Sequence, residues 1–290
     1  MFPKSAACHL SFKAMPVINL HNHSKFSDGT LDPAALAGIV KKSGINYFSL
    51  TDHDTMDGWN LMENALKGSG VHYCYGVEIS CRPYENLHLL GYGIDPNKNG
   101  FEKFREKLSS FRAKRADRIR EVLFLLKGLG IEIKFEDIHV PEGKTIGRPH
   151  VADYMKKHGI VSSRNLAFKR YLAPTKPAYV PPNGPSVEEA CEAIRNAGGL
   201  PVLAHPGCVM THLELPKWKE AGLAGIEAFY PAHSNVMTRE LINLAARCGL
   251  FVTSGVDFHG PDTDRDKMYG FEFSEEQFES FFSEFSRLFI

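Results

Sequence analysis

Short apolar runs that end on ionisable residues recur along this chain, and that recurrence constrains its fold more than any other feature. Val17–Leu20 leads into His21-Asn22-His23, Asn46–Thr51 into Asp52-His53-Asp54, and the run Tyr73–Ser80 contains Gly76-Val77-Glu78. His88 lies in the run Leu87–Tyr92, Leu200–Ala204 leads into His205, and Phe251–Val256 into Asp257-Phe258-His259. A further run covers Gly225–Tyr230. Helical patterns stand between the runs: one opens on Asp32 as cap with Pro33 in its first turn and closes at Gly44, and others cover 57–67, 186–197 and 235–248. This alternation predicts βα units and a parallel sheet. In such folds the carboxyl ends of the strands converge on one face, where sites form.

From about residue 100 the period changes. Phe101, Phe104, Leu108, Phe111, Ile119, Leu123 and Leu126 recur at helical spacing until Gly128 and Gly130 end the pattern. Shorter helical patterns follow at 148–158 and 162–170, and a Pro-rich stretch over 173–185 marks a boundary. Charge also sets this segment apart: residues 101–180 carry 18 Lys and Arg against 9 Asp and Glu, leaving 16 against 25 elsewhere. The expected organisation is an extension over 1–16, one barrel built from 17–99 and 186–290, and a basic helical insertion over 100–185 serving as a substrate cap.

With 290 residues, 43% apolar and 23% charged, the chain can bury a large core. Its formal charge of zero argues against a nucleic-acid coat protein or a membrane-surface binder. No apolar run approaches the roughly 20 residues that span a bilayer, and the start lacks a secretory pattern, so a cytoplasmic protein is expected. Six cysteines without a CxxC pair read as reduced thiols. No long apolar surface pattern suggests an oligomer, and a monomer is expected.

Imidazole and carboxylate are metal ligands by type. A single histidine at a strand end is more often a structural residue, and an HxH pair only shows that two side chains share a face. Six strand-end segments carrying His, Asp or Glu are a different matter. Packed together without cations, such groups would suffer large desolvation and repulsion costs. The set His21, His23, Asp28, His53, Glu78, His88, His205, Asp257 and His259 resembles the ligand set of the polymerase and histidinol phosphatase (PHP) family, over nearly the whole chain. Three segments are similar to those of the small stand-alone bacterial PHP phosphoesterases: Ser27-Asp28-Gly29-Thr30, Thr51-Asp52-His53-Asp54-Thr55 and Gly76-Val77-Glu78-Ile79-Ser80. Those proteins act on nucleoside 3′,5′-bisphosphates and, in some members, on the 5′ ends of short RNAs.

The resemblance implies a distorted (β/α)7 barrel with a helical insertion domain and three divalent metal ions, often Mn²⁺, with Fe²⁺ or Zn²⁺ accepted by the same ligands. It would give one ion His21, His23, Glu78 and Asp257, a second Glu78, His88 and His205, and a third Asp28, His53 and His259. Glu78 would be shared by the first two. Phosphate ester hydrolysis needs a nucleophile at neutral pH, charge neutralisation and help for the leaving alkoxide, all of which metal ions supply. Asp28, His53 and His259 are therefore expected next to the reacting phosphoryl group. Arg148 is the expected partner of a second phosphate, with Arg115 and Arg118 on the long helix beside it. His233 is a candidate for contacting phosphate or protonating the leaving group, and His150 is left open. The expected substrate is a phosphorylated nucleotide or the 5′ end of short single-stranded RNA or DNA. Alternatives are a histidinol-phosphate-type phosphatase and a non-catalytic PHP module; the latter would go with degraded ligand positions, which this sequence does not show.

Overall fold

The computed structural model describes residues 15–138 and 144–290, so the expected extension over 1–16 falls almost wholly outside the described residues. Strands β1 (Val17–Asn19), β2 (Tyr47–Leu50) and β3 (His72–Ser80) pair in parallel, with Ile18 opposite Tyr47 and Ser49 opposite Cys74. Helices α1 (Pro33–Val40) and α2 (Trp59–Leu66) connect them. Asp32 caps α1 by accepting the Ala35 N–H, and Pro33 sits where no amide donor is needed. Leu36, Ala37 and Val40 of α1 and Met62 and Leu66 of α2 pack on Phe48, Leu50 and Tyr73 of the strands.

The expectation of a wholly parallel sheet is corrected at β4 (His88–Tyr92). This strand runs antiparallel both to β3, with Ser80 opposite His88, and to β5 (Leu200–Leu203), with Leu89 opposite Leu203. The cause was visible in the spacing, because the residues between Ser80 and His88 are too few for the crossover that parallel neighbours require. Cys81 instead donates its N–H to the Leu87 carbonyl and closes a hairpin. His88 is thus the first residue of its strand. The reversal brings it to the same end of the sheet as the last residues of β3.

Parallel pairing resumes through β5, β6 (Gly225–Phe229) and β7 (Phe251–Ser254). The ring closes where Leu20 donates to the Ser254 carbonyl and Asp257 to the His21 carbonyl, each at 2.9 Å. An eighth strand, β8 (Phe271–Glu272), lies antiparallel on Val17 and Ile18 of β1. The result is a distorted α/β barrel. Helices α6 (Val187–Asn196) and α8 (Asn235–Arg247) cover its second half, each opened by a serine that accepts from the backbone three residues on.

Two helices and β8 were not anticipated: α7 (Leu215–Glu220) and α9 (Glu275–Phe285). Phe278, Phe281 and Phe285 of α9 pack with Phe273 on Tyr47, Tyr92 and Val202. Tyr47 begins β2 and Tyr92 ends the reversed β4, so these rings fill the end of the barrel opposite the strand-end histidines.

Helix α3 (Phe101–Gly128) belongs to two hydrophobic clusters. Phe104, Leu108 and Phe111 pack with Ala190 and Ile194 of α6, whereas Ile119, Val122, Leu123 and Leu126 pack with α4 (Arg148–Lys157) and α5 (Arg164–Ala167). The helix starts after Gly100, where a Cβ would lie 1.9 Å from the Asn196 carbonyl oxygen. A π-helical turn, Phe168–Leu172, prolongs α5, and no helix or strand lies between Ala173 and Ser186. Among the described residues no helix is long and apolar enough to cross a membrane.

Phe281 is 1% exposed and touches Tyr47, Phe273, Phe278 and Phe285. Phe281→Ala should therefore lower stability by about 3–5 kcal/mol, read as a lower urea midpoint at unchanged m-value.

Candidate metal centre

Each strand delivers its polar side chains to one end of the barrel. His21 and His23 leave β1 two residues apart and so point the same way, both buried. Between them Asn22 holds the Ser49 carbonyl of β2 with its side-chain amide. The segment that follows is anchored by Asp52, which is buried and accepts the Ser24 N–H at 2.7 Å and the Ser24 and Ser27 hydroxyls at 2.6 and 2.7 Å. That anchoring turns Asp28 back toward the barrel mouth. His205 and Asp257 leave β5 and β7 in the left-handed region, with φ of 30° and 54°. Gly255 lies tight against β1: a Cβ there would meet the Cβ of His21 at 2.2 Å.

Contacts of 3.5 Å or less connect all nine residues singled out from the sequence. Glu78, 1% exposed, stands at the centre. Its Oε2 lies 3.2 Å from His21 Nε2, 3.1 Å from His23 Nε2 and 3.3 Å from His53 Nδ1. Its Oε1 lies 2.7 Å from His88 Nδ1 and 3.2 Å from His205 Nε2. Asp257 Oδ1 approaches His21 and His23 at 3.3 and 3.1 Å, and Asp28 Oδ1 approaches His259 at 3.3 Å.

The donor atoms fit cations. His21 Nε2, His23 Nε2, His53 Nδ1, Asp28 Oδ1 and Asp257 Oδ1 are buried without a hydrogen-bond partner, and orphaned buried acceptors of this kind are costly unless something else satisfies them. Three groups are compact enough to share an ion: His21, His23, Glu78 and Asp257; His53, Glu78 and His88; and His23, Asp28 and His259. The first coincides with the set expected from the family resemblance. The other two differ in that His53 turns Nδ1 to Glu78 and only approaches Asp28 with Nε2, at 3.9 Å.

Burial disfavours every charge here, and mutual attraction overrides it for some groups. Glu78 and Asp257 are held well below the carboxylate range despite burial, Glu78 chiefly by His53 and His21, Asp257 chiefly by Arg265 and His21. Against the effect of burial, contacts with Asp257 and Glu78 lift His23 to about 10, and contacts with Cys208 and Glu78 lift His205 to about 9. For His53 and His88 burial prevails and lowers the pKa. The balance between burial and attraction thus differs from one imidazole to the next.

Several supporting residues escaped the sequence analysis. Glu227, fully buried in β6, accepts from His21 Nδ1 at 3.1 Å and from the His205 N–H at 2.8 Å. Its only signal was a lone carboxylate in an otherwise apolar strand. Arg265 puts Nη1 2.5 Å from Asp257 Oδ2, leaving Oδ1 for the histidines. Nothing in its local sequence marked it.

One cleft of about 320 Å³ opens above the cluster, lined by Asp28, His53, His88 and His259 together with Arg115, Arg118, Arg148 and Arg265. Phe168 and Ile119 add apolar surface, and the Arg148 guanidinium stands 5.5 Å above the Phe168 ring. None of the three expected arginines is a freely solvated charge. Arg115 is paired with Asp54 at 3.0 Å, Arg118 binds Glu85 and the Val180 carbonyl, and Arg148 binds Glu85 and the Leu172 carbonyl. His150 accepts the Gly147 N–H at Nδ1 and donates from Nε2 to the Ser27 carbonyl, tying α4 to the Asp28 loop. His233 does not join the cleft lining. It donates from Nδ1 to the Ala228 carbonyl and accepts the Gly207 N–H at Nε2, so it braces the turn after His205.

The comparisons with known proteins agree with this geometry. The chain is 33% identical over 256 residues to the 3′,5′-nucleoside bisphosphate phosphatase of Chromobacterium violaceum, covering 85% of this chain and 88% of that one. It is 31% identical over 252 residues to the 5′-3′ exoribonuclease of Haemophilus influenzae, covering 84% and 90%. A solved protein of Bifidobacterium adolescentis, provisionally classed as a metal-dependent phosphoesterase, superposes with a TM-score of 0.80 at 27% identity over 93% of this chain and 97% of that one. The family model described as PHP domain matches residues 19–215, and the chain belongs to that family.

Proposed function

We propose that this phosphoesterase removes a phosphate from nucleoside 3′,5′-bisphosphates, with the 5′ end of short RNA as a related substrate. One observation carries the proposal: a single cleft is lined both by the imidazole and carboxylate cluster and by arginines from the basic helical segment over 100–185, with Phe168 beside them. A nucleoside with two phosphates presents the matching chemistry, an anion for each charged group and an aromatic base for the ring. The relatives of Chromobacterium violaceum and Haemophilus influenzae, named for such substrates, support it. The segment over 100–185 then serves as a cap that selects substrate.

The proposed occupants are three divalent ions, Mn²⁺ foremost. His21, His23, Glu78 and Asp257 would hold one, Glu78, His88 and His205 a second, and Asp28, His53 and His259 a third. What such ions supply is a water acidified to near-neutral pKa and positive charge against the phosphoryl oxygens. The chain's own residues do the rest. Asp28, His53 and His259 face the cleft and place the reacting phosphoryl group beside the cluster. Glu227 accepts the hydrogen bond of the His21 Nδ1–H and so presents the Nε2 lone pair to the site. Arg265 neutralises the outer oxygen of Asp257 and lines the cleft where phosphoryl charge would come. Phe168 and Ile119 offer apolar contact to the nucleoside.

Phosphate release should vanish in chelator and return with Mn²⁺, and in a panel of 3′,5′-bisphosphoadenosine, histidinol phosphate and a 5′-phosphorylated short RNA the bisphosphate should turn over fastest. Full activity after verified metal removal would sink the metal-dependent reading, histidinol phosphate as best substrate would favour an amino-acid-pathway phosphatase, and inactivity on every ester would favour a non-catalytic module. Arg148→Ala should raise KM for the bisphosphate about tenfold or more, the equivalent of one lost charge-assisted hydrogen bond, with little change for a simple monoester. Equal effects on both would remove Arg148 from a second-phosphate role. Glu227→Gln should weaken metal binding by about 10–100-fold, measured by calorimetry, with the circular dichroism spectrum kept.

A further inference from the structure

Arg148, assigned to the second phosphate, and its neighbour Arg118 already hold an anion. Glu85 sits in the hairpin between β3 and β4, mostly shielded, and its two carboxylate oxygens are divided between them: Oε1 accepts from Arg118 Nη2, and Oε2 from Arg148 Nη2 at 2.5 Å. Burial and the neighbouring Glu85 carboxylate both push the Tyr179 hydroxyl up. Among the described residues no other carboxylate is paired with Arg118 or Arg148. Burial lowers the pKa of both arginines, and Glu85 works against that lowering in each. Glu85 also lines the cleft, next to Asn86 and His88.

We propose that Glu85 is a specificity-determining residue: its carboxylate occupies the second-phosphate position at Arg148, and a substrate phosphate must displace it to bind there. The proposal rests on the reading that Arg148 receives a second phosphate. The physical basis is a contest between two anions for one set of donors. A carboxylate brings one charge and two oxygens, whereas a phosphate monoester brings nearly two charges and three oxygens, so a phosphate can prevail where a weaker anion cannot. A ligand that lacks the second phosphate leaves Glu85 in place and receives nothing from Arg148. The cleft thus discriminates by making the arginine site available only to groups that outcompete an internal carboxylate.

The hairpin suits such a role. Its base is fixed by the Cys81 N–H to Leu87 carbonyl bond at 2.8 Å and by the pairing of Ser80 with His88, while Arg82, Pro83 and Tyr84 at its tip are exposed. The tip is itself held, by the Arg82 N–H on the Pro185 carbonyl and by Tyr84 stacked on His212, so Glu85 withdraws by swinging its side chain outward while the hairpin and His88 stay in place.

The test is anion binding to metal-free protein, which does not depend on turnover; hydrolysis assays judge the substrate, and binding judges Glu85. Inorganic phosphate titrated by calorimetry should bind Glu85→Gln about tenfold more tightly than the parent protein, the equivalent of one charge-assisted hydrogen bond no longer surrendered. The gain should be absent when Glu85→Gln is combined with Arg148→Ala. Unchanged or weaker binding by Glu85→Gln overturns the proposal, as does a gain that persists without Arg148. Should Glu85→Gln fail to fold, a crystal structure of the unaltered protein with adenosine 3′,5′-bisphosphate decides the matter. A phosphate oxygen on Arg148 Nη2 with Glu85 withdrawn supports displacement; Glu85 still bridging the two arginines overturns it.

Discussion

The centre of this structure is a single buried carboxylate. Glu78 is reached by five imidazoles, from His21, His23, His53, His88 and His205, and those five come from four different strands or strand exits. An anion in that position would be prohibitive to bury alone, and the histidines around it would be poor core residues alone. Each makes the other tolerable. The arrangement in turn dictates much around it: β3 must run through the middle of the sheet, Gly255 must let β7 close on β1, and Glu227 and Asp52 must sit in places where packing alone would choose an apolar side chain. The barrel mouth is thus organised around charge, and the opposite end, filled by the phenylalanines of α9, around apolar packing.

Much of this was legible in the residues, for a physical reason. Imidazoles and carboxylates at strand ends are conspicuous because the surrounding runs are apolar, and alternation fixes which side chains share a face. Eight of the nine cluster residues stand out that way; Asp28, in the loop after His23, entered through the family resemblance. The supporting shell was not, because its members look ordinary: Glu227 is one acid in a strand, Arg265 one base in a loop, and only the fold shows that each touches the cluster. The arginines of the helical segment illustrate a second limit. Their placement in the cleft was anticipated, but their partners were not, since Glu85 lies more than thirty residues before Arg118 and sixty before Arg148. His233 marks a third. A histidine after a strand reads the same whether it faces solvent, ligand or backbone, and here both ring nitrogens serve the backbone.

The reversal of β4 was legible in loop length but hidden by the regularity of its neighbours, and it shapes the molecule beyond the sheet. Because β4 runs away from the cluster, the chain leaves it at the end of the barrel filled by α9. Helix α3 starts from there and carries Arg115 and Arg118 back to the cleft. At about 1.5 Å per residue, Arg118 stands roughly 25 Å along the axis from Phe101.

That geometry makes α3 a lever with its fulcrum at the foot of the barrel. Gly100 and Asn196 are packed so closely at the pivot that no side chain fits there. Over an arm of roughly 25 Å, a tilt of about 5° at the base carries the arginine end about 2 Å, a displacement comparable with the difference between a hydrogen bond and none. The positions of Arg115 and Arg118 are therefore sensitive to packing at the opposite pole of the molecule, and their ties to Asp54 and Glu85 resist such a tilt. A substitution at Gly100 can thus reach the cleft without altering a residue that lines it.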